Sequence, residues 1–422
     1  MPVLSTAAPV SGDVPDGLPP CGYDVEYYVP PDCGIFNVRG SVTAVNAPGT
    51  AVGWIDGCPN LYKRRAFIWW PDGAIQLIAN PYVYSMEAMG INNSNQVLIR
   101  MTSLVPGDGY VPAIWDDGTL TIFGYPDWAN TSDTGGINDL GMVTGQYGDV
   151  VNGPYPLAAI WSDGGLTDIS GAFPQPDQQP RGINNLGQVA GTMAGGPTPP
   201  SGNAFRAFLY DGGRVTDLGV APGCVNSVAR GLSQAGHVAC YGWSSIWEEN
   251  VSDTHPWHGF LWRQGEWTAL PPLPGHNEAV AEAVNAQSVA VGYSYTLGQP
   301  STNQVVIWIN AVPYSIKQYT NLNGTHGLGI ALAISDSGHV VGEGLAEAKV
   351  RPARLMPRQR PTADITFDCV VDGADIAALL QSWGSSVAGG SADADINGDG
   401  AVDGTDLGIM LSQWTIAAAN TP

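Results

Sequence analysis

The decapeptide Gly182-Ile-Asn-Asn-Leu-Gly-Gln-Val-Ala-Gly191 returns along most of the chain, and that recurrence limits the possible folds more than any other feature. Close copies are Gly136-Ile-Asn-Asp-Leu-Gly-Met-Val-Thr-Gly145 and Gly90-Ile-Asn-Asn-Ser-Asn-Gln-Val97, and weaker ones begin at Ala44, Gly231, Ala283 and Ala333. The third position, Asn or Ser, falls at 46, 92, 138, 184, 233, 285 and 335, so the spacings are 46, 46, 46, 49, 52 and 50 residues. Each copy reads as a β-hairpin. Apolar residues enter an Asn-rich turn, a glycine such as Gly141 or Gly187 takes the positive φ, and a Val-x-Gly strand leaves. Most repeats continue into a second hairpin around a turn such as Ile114-Trp-Asp-Asp-Gly118 or Ile160-Trp-Ser-Asp-Gly164, where Asp-Gly tolerates positive φ at both central positions. Four short strands per repeat, seven times over, predict an all-β, seven-bladed β-propeller across residues 23–356. The seventh repeat runs out after its third strand, Arg351–Met356, and a spare strand, Tyr23–Val29, precedes the first. Pairing the two would close the ring and leave no open edge.

Charge sets the remaining limits. Asp and Glu number 38 against 16 Lys and Arg, a net −22, which argues against a nucleic-acid partner, since phosphate binding needs clustered cations and counterion release. No apolar run is long enough to span a membrane, and no signal peptide is visible at the start of the sequence. Six cysteines form no CxxC pair, which argues against zinc. They allow up to three disulfides in an oxidising compartment, Cys21–Cys33 and Cys224–Cys240 being the closest in sequence, with free buried thiols as the alternative. Residues 1–22 read as an N-terminal tail and 357–363 as a Pro/Arg linker. Lys349, Arg351, Arg354, Arg358 and Arg360 form the one basic cluster, expected to be solvated and to offset an acidic module at 364–422.

That module carries nine Asp and no Lys, Arg or Glu. In Asp395-Ile-Asn-Gly-Asp-Gly-Ala-Val-Asp-Gly-Thr-Asp406, oxygen side chains occupy loop positions 1, 3, 5, 9 and 12 with Gly400 at position 6, the pattern that wraps Ca²⁺. The ligand set is Asp395, Asn397, Asp399, the Ala401 carbonyl, Asp403 and Asp406. Thirty-one residues earlier the pattern recurs as Asp364, Thr366, Asp368, the Val370 carbonyl, Asp372 and Asp375, with Cys369 at position 6. Two calcium sites are therefore expected, the second loop fitting more closely. Each loop opens a helix that ends in a Trp at the same offset, Trp383 and Trp414. Nine uncompensated Asp in so small a module make the metal structural.

The repeats, with Asn-x-x-Gly-x-Val-x-Gly followed by motifs such as His258-Gly-Phe-Leu-Trp262, resemble the HAF family of probable extracellular repeats over residues 23–356. The duplicated loop and helix resemble the type I dockerin module over 364–414. The resemblances imply an extracellular or cell-surface location and, for the module, a cohesin-like or other cell-surface protein partner. At positions 10 and 11, which many dockerins use for recognition, stand Gly373-Ala374 and Gly404-Thr405.

No nucleophile, zinc, nucleotide or dinucleotide motif is present, so no catalytic residue is assigned. His237 and His339 are expected to be surface hairpin residues. The longest repeat spacing holds an insertion with Trp243, Trp247, Glu248, Glu249, Asp253 and Trp257, a mix of aromatic plates and carboxylates suited to a glycan, or an ordinary long loop. The reading is a monomeric, secreted, non-catalytic binding or scaffold propeller attached through a calcium-binding module. The alternative is a carbohydrate-active enzyme, a glycoside hydrolase or lyase in polysaccharide catabolism.

Overall fold

Seven four-stranded antiparallel sheets follow one another along the chain in a computed structural model that describes residue 19 and residues 21–28, 39–56, 64–78, 83, 85–102, 109–149, 156–174, 176–197, 203–243, 257–320, 327–346, 349–386 and 392–414. The leading strand is β1 (Tyr23–Tyr27). Blade 1 comprises β2 (Gly40–Val45), β3 (Ala51–Asp56), β4 (Arg64–Trp69) and β5 (Ile75–Ile78), and blade 2 comprises β6 (Met86–Ile91), β7 (Val97–Thr102), β8 (Tyr110–Asp116) and β9 (Thr119–Ile122). Blade 3 is β10 (Thr131–Ile137), β11 (Val143–Gly148), β12 (Leu157–Ser162) and β13 (Gly165–Asp168), and blade 4 is β14 (Gln178–Ile183), β15 (Val189–Pro197), β16 (Asn203–Asp211) and β17 (Arg214–Gly219). Blade 5 has β18 (Val228–Leu232), β19 (Val238–Trp243), β20 (Trp257–Arg263) and β21 (Glu266–Leu270), and blade 6 has β22 (Glu278–Val284), β23 (Ala290–Thr296), β24 (Gln299–Ile309) and β25 (Val312–Ser315). Blade 7 supplies β26 (Gly327–Ile334), β27 (Val340–Ala346) and β28 (Lys349–Pro357), and its sheet order is β1-β28-β27-β26.

The expected seven-bladed propeller and its closing N-terminal strand are thus both present. The Tyr28 N–H donates to the Pro352 carbonyl at 3.0 Å, just past the end of β1. Each innermost strand touches the innermost strand of the next blade, and β2 touches β26, so the ring is complete. Two compact units divide the chain. Tyr27–Ile316 and Gly324–Leu355 hold the blades, and Met1–Glu26, Lys317–Asn323 and Met356–Pro422 form the other.

The second-hairpin turns follow the sequence reading. Asp117 and Gly118 have φ of 41° and 88°, and Asp163 and Gly164 have 49° and 76°. The Val-x-Gly glycine has a different cause, close approach of backbone. A Cβ at Gly145 would stand 2.0 Å from the Asp133 carbonyl oxygen, and one at Gly292 would stand 1.9 Å from that of Val280.

Apolar faces pack between blades rather than within them. Val52, Ala66 and Ile68 of blade 1 share a core with Met86, Val97, Ile99 and Trp115 of blade 2, and Ala239 and Leu261 of blade 5 share one with Val306 and Trp308 of blade 6. Trp161 and Trp308 are fully buried, and their indole N–H groups donate to the Gly124 and Pro271 carbonyls at 3.0 and 2.7 Å.

At the tips of the first hairpins a belt of hydrogen bonds links each blade to the next. The side-chain amide of Asn46 donates to the Asn92 carbonyl at 3.0 Å, that of Asn92 to Asn138 at 3.0 Å, and that of Asn138 to Asn184 at 2.9 Å. Asn184 and Asn285 reach Ser233 and Ser335 at 3.4 and 3.5 Å. Where Ser replaces Asn, its hydroxyl is too short to cross, and other groups take over. His237 Nδ1 meets Ser288 Oγ at 3.0 Å between blades 5 and 6. Ser337 Oγ donates to the Ala47 carbonyl at 2.6 Å between blades 7 and 1, held by His339 Nδ1 at 2.8 Å. His339 also packs against Gly49, where a Cβ would lie 2.8 Å from its Nε2. The two histidines, expected as surface hairpin residues, are partly buried members of blade junctions.

Two further expectations change. The basic cluster is not solvated throughout, because β28 (Lys349–Pro357) leaves Lys349 exposed but buries Arg351 and Arg354. Arg354 is fully buried, donates to the Trp69 and Trp70 carbonyls at 3.2 and 2.8 Å, and lies 4.3 Å from the Trp69 ring centroid. A buried guanidinium persists only with such partners. Neither short-range cysteine pair forms. Cys21 is bonded to Cys369, while Cys224 and Cys240 are free thiols. Cys240 is buried in the core between blades 4 and 5 with Cys224 packed beside it, and closeness in sequence does not aim their Cβ atoms at each other. Cys33 and Cys58 lie outside the described residues.

Replacing Asn138, which is 1% exposed, removes a cross-blade bond and the acceptor of the Leu140 and Met142 N–H groups. Asn138→Ala should cost about 1–3 kcal/mol in chemical unfolding, against about 0.5 kcal/mol or less for exposed Leu140→Ala. Burial, followed by Arg263, lowers the His237 pKa, and burial, followed by Arg354, lowers that of His339. Their contribution is present above the unfolded value of about 6.5 and is lost as pH falls through the folded values. Melting temperature should therefore fall below about pH 6.5, and the double variant His237→Gln/His339→Gln should flatten that slope.

Candidate metal centre

Residues 364–375 form a loop whose acidic side chains turn inward onto its own backbone. Asp364 Oδ1 and Oδ2 accept the N–H groups of Asp368 and Cys369 at 3.1 and 2.9 Å. Asp375 Oδ1 accepts both the N–H and the hydroxyl of Thr366, at 2.9 and 3.0 Å, and its Oδ2 accepts the Asp372 N–H at 2.9 Å. The Val370 N–H donates to Asp368 at 3.0 Å. Carboxylate oxygens of Asp364, Asp368 and Asp375 come within 4.8 Å of one another, and Asp364 and Asp375 are 2% and 0% exposed.

Such a cluster is electrostatically frustrated as it stands. Burial, together with Asp375 and Asp368, pushes the Asp364 carboxyl above its usual range against the pull of two backbone N–H donors. No Lys or Arg exists in residues 361–422 to relieve it. A hard divalent cation with oxygen ligands meets both demands, so the donor set fits Ca²⁺.

The second loop repeats the hydrogen-bond pattern. Asp395 accepts from Asp399 and Gly400, Asp406 accepts from Ile396, Asn397 and Asp403, and the Ala401 N–H donates to Asp399. Among the described residues, however, the three-carboxylate cluster occurs in the first loop, although the second matches the sequence pattern more closely. The loops differ locally in that Asp399 Oδ2 is engaged by the Asn397 side-chain amide at 2.8 Å, whereas the Thr366 hydroxyl at the corresponding position of the first loop donates to Asp375.

Both loops end in capping boxes. Asp372 and Asp403 cap α1 (Gly373–Gln381) and α2 (Gly404–Ser412), and the third helical residue, Asp375 or Asp406, caps back onto each. The helices therefore start inside the loops, at Gly373 and Gly404, and the expected terminal residues Trp383 and Trp414 lie just past their ends. Leu379, Met410, Val371 and Val402 fill the small core. Gln413 clasps the start of the module, accepting from the Ala363 N–H at 3.1 Å and donating to the Thr362 hydroxyl at 2.8 Å. Leu380 and Leu411 are each 54% exposed, and Trp383 and Trp414 are 46% and 39% exposed, so the duplicated sequence leaves a duplicated apolar surface.

Cys369 stands at the loop position where Gly is expected and adopts φ 69°, beside Phe367 at 64°. Its sulfur is bonded to Cys21, 348 residues away. The cross-link holds a backbone conformation that L-residues avoid at a cost of about 1–2 kcal/mol. Neighbouring contacts belong to the same unit, with the Arg358 N–H donating to the Gly22 carbonyl at 2.9 Å. Sequence reading missed this bond because the unusual Cys at position 6 was a signal without a visible partner.

Of the insertion residues, Trp243 and Trp257 flank it in paired register on β19 and β20. Trp247, Glu248, Glu249 and Asp253 lie outside the described residues. A cavity of ≈ 120 Å³ opens at the belt between Asn46, Asn93, Asp139, Gln234 and Asp336. Asp139 there already accepts three N–H bonds, and Asp336 accepts the Ala286 N–H. Those polar groups are engaged in holding blades together.

Residues 362–413 match the family described as Dockerin type I domain. No curated protein matches the chain. Among solved structures, the β-propeller domain of the Trilobed protease from Pyrococcus furiosus aligns with a TM-score of 0.53 at 10% identity, covering 76% of this chain and 95% of that one. An acylaminoacyl peptidase from Pyrococcus horikoshii aligns at 0.49 and 11% identity, covering 78% of this chain and 54% of that one, about half its length. At these identities the likeness concerns the fold.

Reduction of the Cys21–Cys369 bond should lower the stability of the C-terminal module by about 2–4 kcal/mol. Cys369→Gly should recover only the part due to left-handed strain, about 1 kcal/mol. Thermal melts followed by Trp383 and Trp414 fluorescence, with and without dithiothreitol, check both.

Proposed function

We propose that the chain is a secreted or cell-surface propeller that serves as a non-catalytic binding or scaffold domain and is attached to a protein partner through its calcium-dependent C-terminal module. The observation that carries the reading is the convergence of Asp364, Asp368 and Asp375 inside a segment that matches a type I dockerin domain. The ligands would be Asp364, Thr366, Asp368, the Val370 carbonyl, Asp372 and Asp375 in one site. Asp395, Asn397, Asp399, the Ala401 carbonyl, Asp403 and Asp406 would form the second. The cation would neutralise the buried carboxylates and lock the loop, while Leu380, Trp383 and their counterparts Leu411 and Trp414 would face a cohesin-like partner. The Cys21–Cys369 bond supports an oxidising location, since such bonds persist outside the reducing cytosol. The resemblance of the repeats to HAF-type extracellular repeats agrees with it.

Chelation tests the metal dependence. With EDTA the module should lose helical signal and shift its Trp383 and Trp414 fluorescence while the propeller transition stays in place, and excess calcium should restore it. Calcium at about 100 times its dissociation constant adds about 2.7 kcal/mol to a folded site. Asp375→Ala and Asp406→Ala should separate the two sites in a calcium titration. Capture by immobilised type I cohesin should require calcium and should be weakened by Leu380→Asp with Leu411→Asp. Fluorescence indifferent to EDTA would count against the metal, and calcium-independent capture would count against the docking mode.

A further inference from the structure

Each innermost strand carries a register shift at the same place in the repeat, three residues before the Asn or Ser of the belt. A bulge takes its residue out of ladder pairing and re-aims the side chain. The residue there is Thr43, Met89, Gly135 or Leu332 in blades 1, 2, 3 and 7, but Arg181, Arg230 and Glu282 in the consecutive blades 4, 5 and 6. The repeat therefore keeps its fold and varies its chemistry at one position, and three neighbouring blades place charge there.

The three charges do not cancel. Arg230 and Glu282 pair in two contacts, Nε to Oε2 at 3.0 Å and Nη2 to Oε1 at 3.1 Å, and Glu282 is 9% exposed. Arg181 is exposed, and among the described residues it has one long polar contact, 3.4 Å to Gln179 Oε1, and no ion pair. Asp133, the other carboxylate near it, is held by Arg100 at 3.2 Å, and Arg100 also grips Glu87 at 2.6 Å. Partial desolvation of its guanidinium by the neighbouring blades, and then the adjacent Arg230, lower the Arg181 pKa, as a cation short of a counter-charge requires. Among the described residues one guanidinium is thus left without an ion pair, in a chain of net charge −22.

Half-exposed aromatic rings stand beside it. The Arg230 guanidinium lies 5.5 Å from the Tyr241 ring centroid. Tyr241 stacks on Trp257 at 5.2 Å with planes 25° apart and lies 6.1 Å from Trp243. In the next blade Tyr293 and Tyr295 stack at 5.9 Å. Trp243 Nε1 is a buried donor without an acceptor among the described residues.

We propose that the bulges of blades 4 to 6 and the aromatic rings beside them form a binding site for a saccharide bearing a single carboxylate, with Arg181 taking the carboxylate and Tyr241, Trp243 and Trp257 packing against sugar rings. The guanidinium fork matches a carboxylate in two parallel bonds. One free positive charge matches a monoanion, and the acidic surroundings disfavour a phosphate dianion or a nucleic acid. Aromatic faces beside polar donors suit a sugar, whose rings present C–H faces and hydroxyl rims. The site lies within the propeller and is independent of the C-terminal module's role.

Calorimetry on the full-length, calcium-loaded protein tests it with glucuronosyl-β-1,4-glucose, the methyl ester of that disaccharide, and cellobiose. The acid should bind, and the ester and cellobiose should bind about tenfold or more weakly, since a charge-assisted bond is lost. Affinity for the acid should fall with added salt. Arg181→Gln should weaken binding of the acid about 10–100-fold with an unchanged melting temperature, and Arg181→Lys should retain part of it. Equal binding of acid and ester, no binding of any probe, or full affinity in Arg181→Gln would overturn the proposal. The ester comparison needs no variant, so it decides the matter even if substitution disturbs the fold.

Discussion

The propeller depends on the crossing of each blade boundary by one short polar side chain at the hairpin tip. Hydrophobic burial between blades provides most of the stabilisation, at about 1.5–3 kcal/mol for each large buried side chain. Apolar packing is tolerant of sliding, and a hydrogen bond from Asn92 to the Asn138 carbonyl is not. The belt therefore sets the register in which neighbouring sheets meet. Its continuity through chemical replacement shows the constraint at work, because where Ser233 and Ser335 are too short, His237, Ser337 and His339 complete the junctions. The last junction carries a second fastening, the buried Arg354 held by carbonyls and the ring of Trp69 from blade 1.

The C-terminal module is organised by the opposite kind of force. Its carboxylates repel, its core is small, and no basic side chain of its own balances them. Helix capping and turn hydrogen bonds engage both oxygens of Asp364 and of Asp375 and still leave the carboxylates of Asp364, Asp368 and Asp375 gathered in the first loop. The Cys21–Cys369 bond replaces the usual glycine's conformational freedom with a covalent restraint at the turn.

Repetition explains where chemistry can accumulate on the propeller. Positions bound into the belt or into close backbone approaches cannot vary without loss, as Gly145 shows, where a Cβ would stand 2.0 Å from the Asp133 carbonyl oxygen. A bulge residue carries no ladder bond and no core packing that every blade must share. Arg181, Arg230 and Glu282 occupy that freedom, and the stack of Tyr241 and Trp257 gives their charges an apolar neighbour.

The sequence by itself determined the number of blades, the hairpin turns, the use of Tyr23–Tyr27 to close the last sheet, and the two acidic loops with their helices. Periodicity and turn chemistry are local properties, and spacing along the chain records them directly. Only the tertiary structure decided that the repeated Asn is a bridge between blades, that Arg354 is buried rather than solvated, that Cys369 joins Cys21, and that Arg230 pairs with Glu282 across blades. Each of these pairs residues far apart in sequence or in different repeats. A side chain's partner in such cases is set by the direction in which the folded backbone points it, which the order of residues does not record.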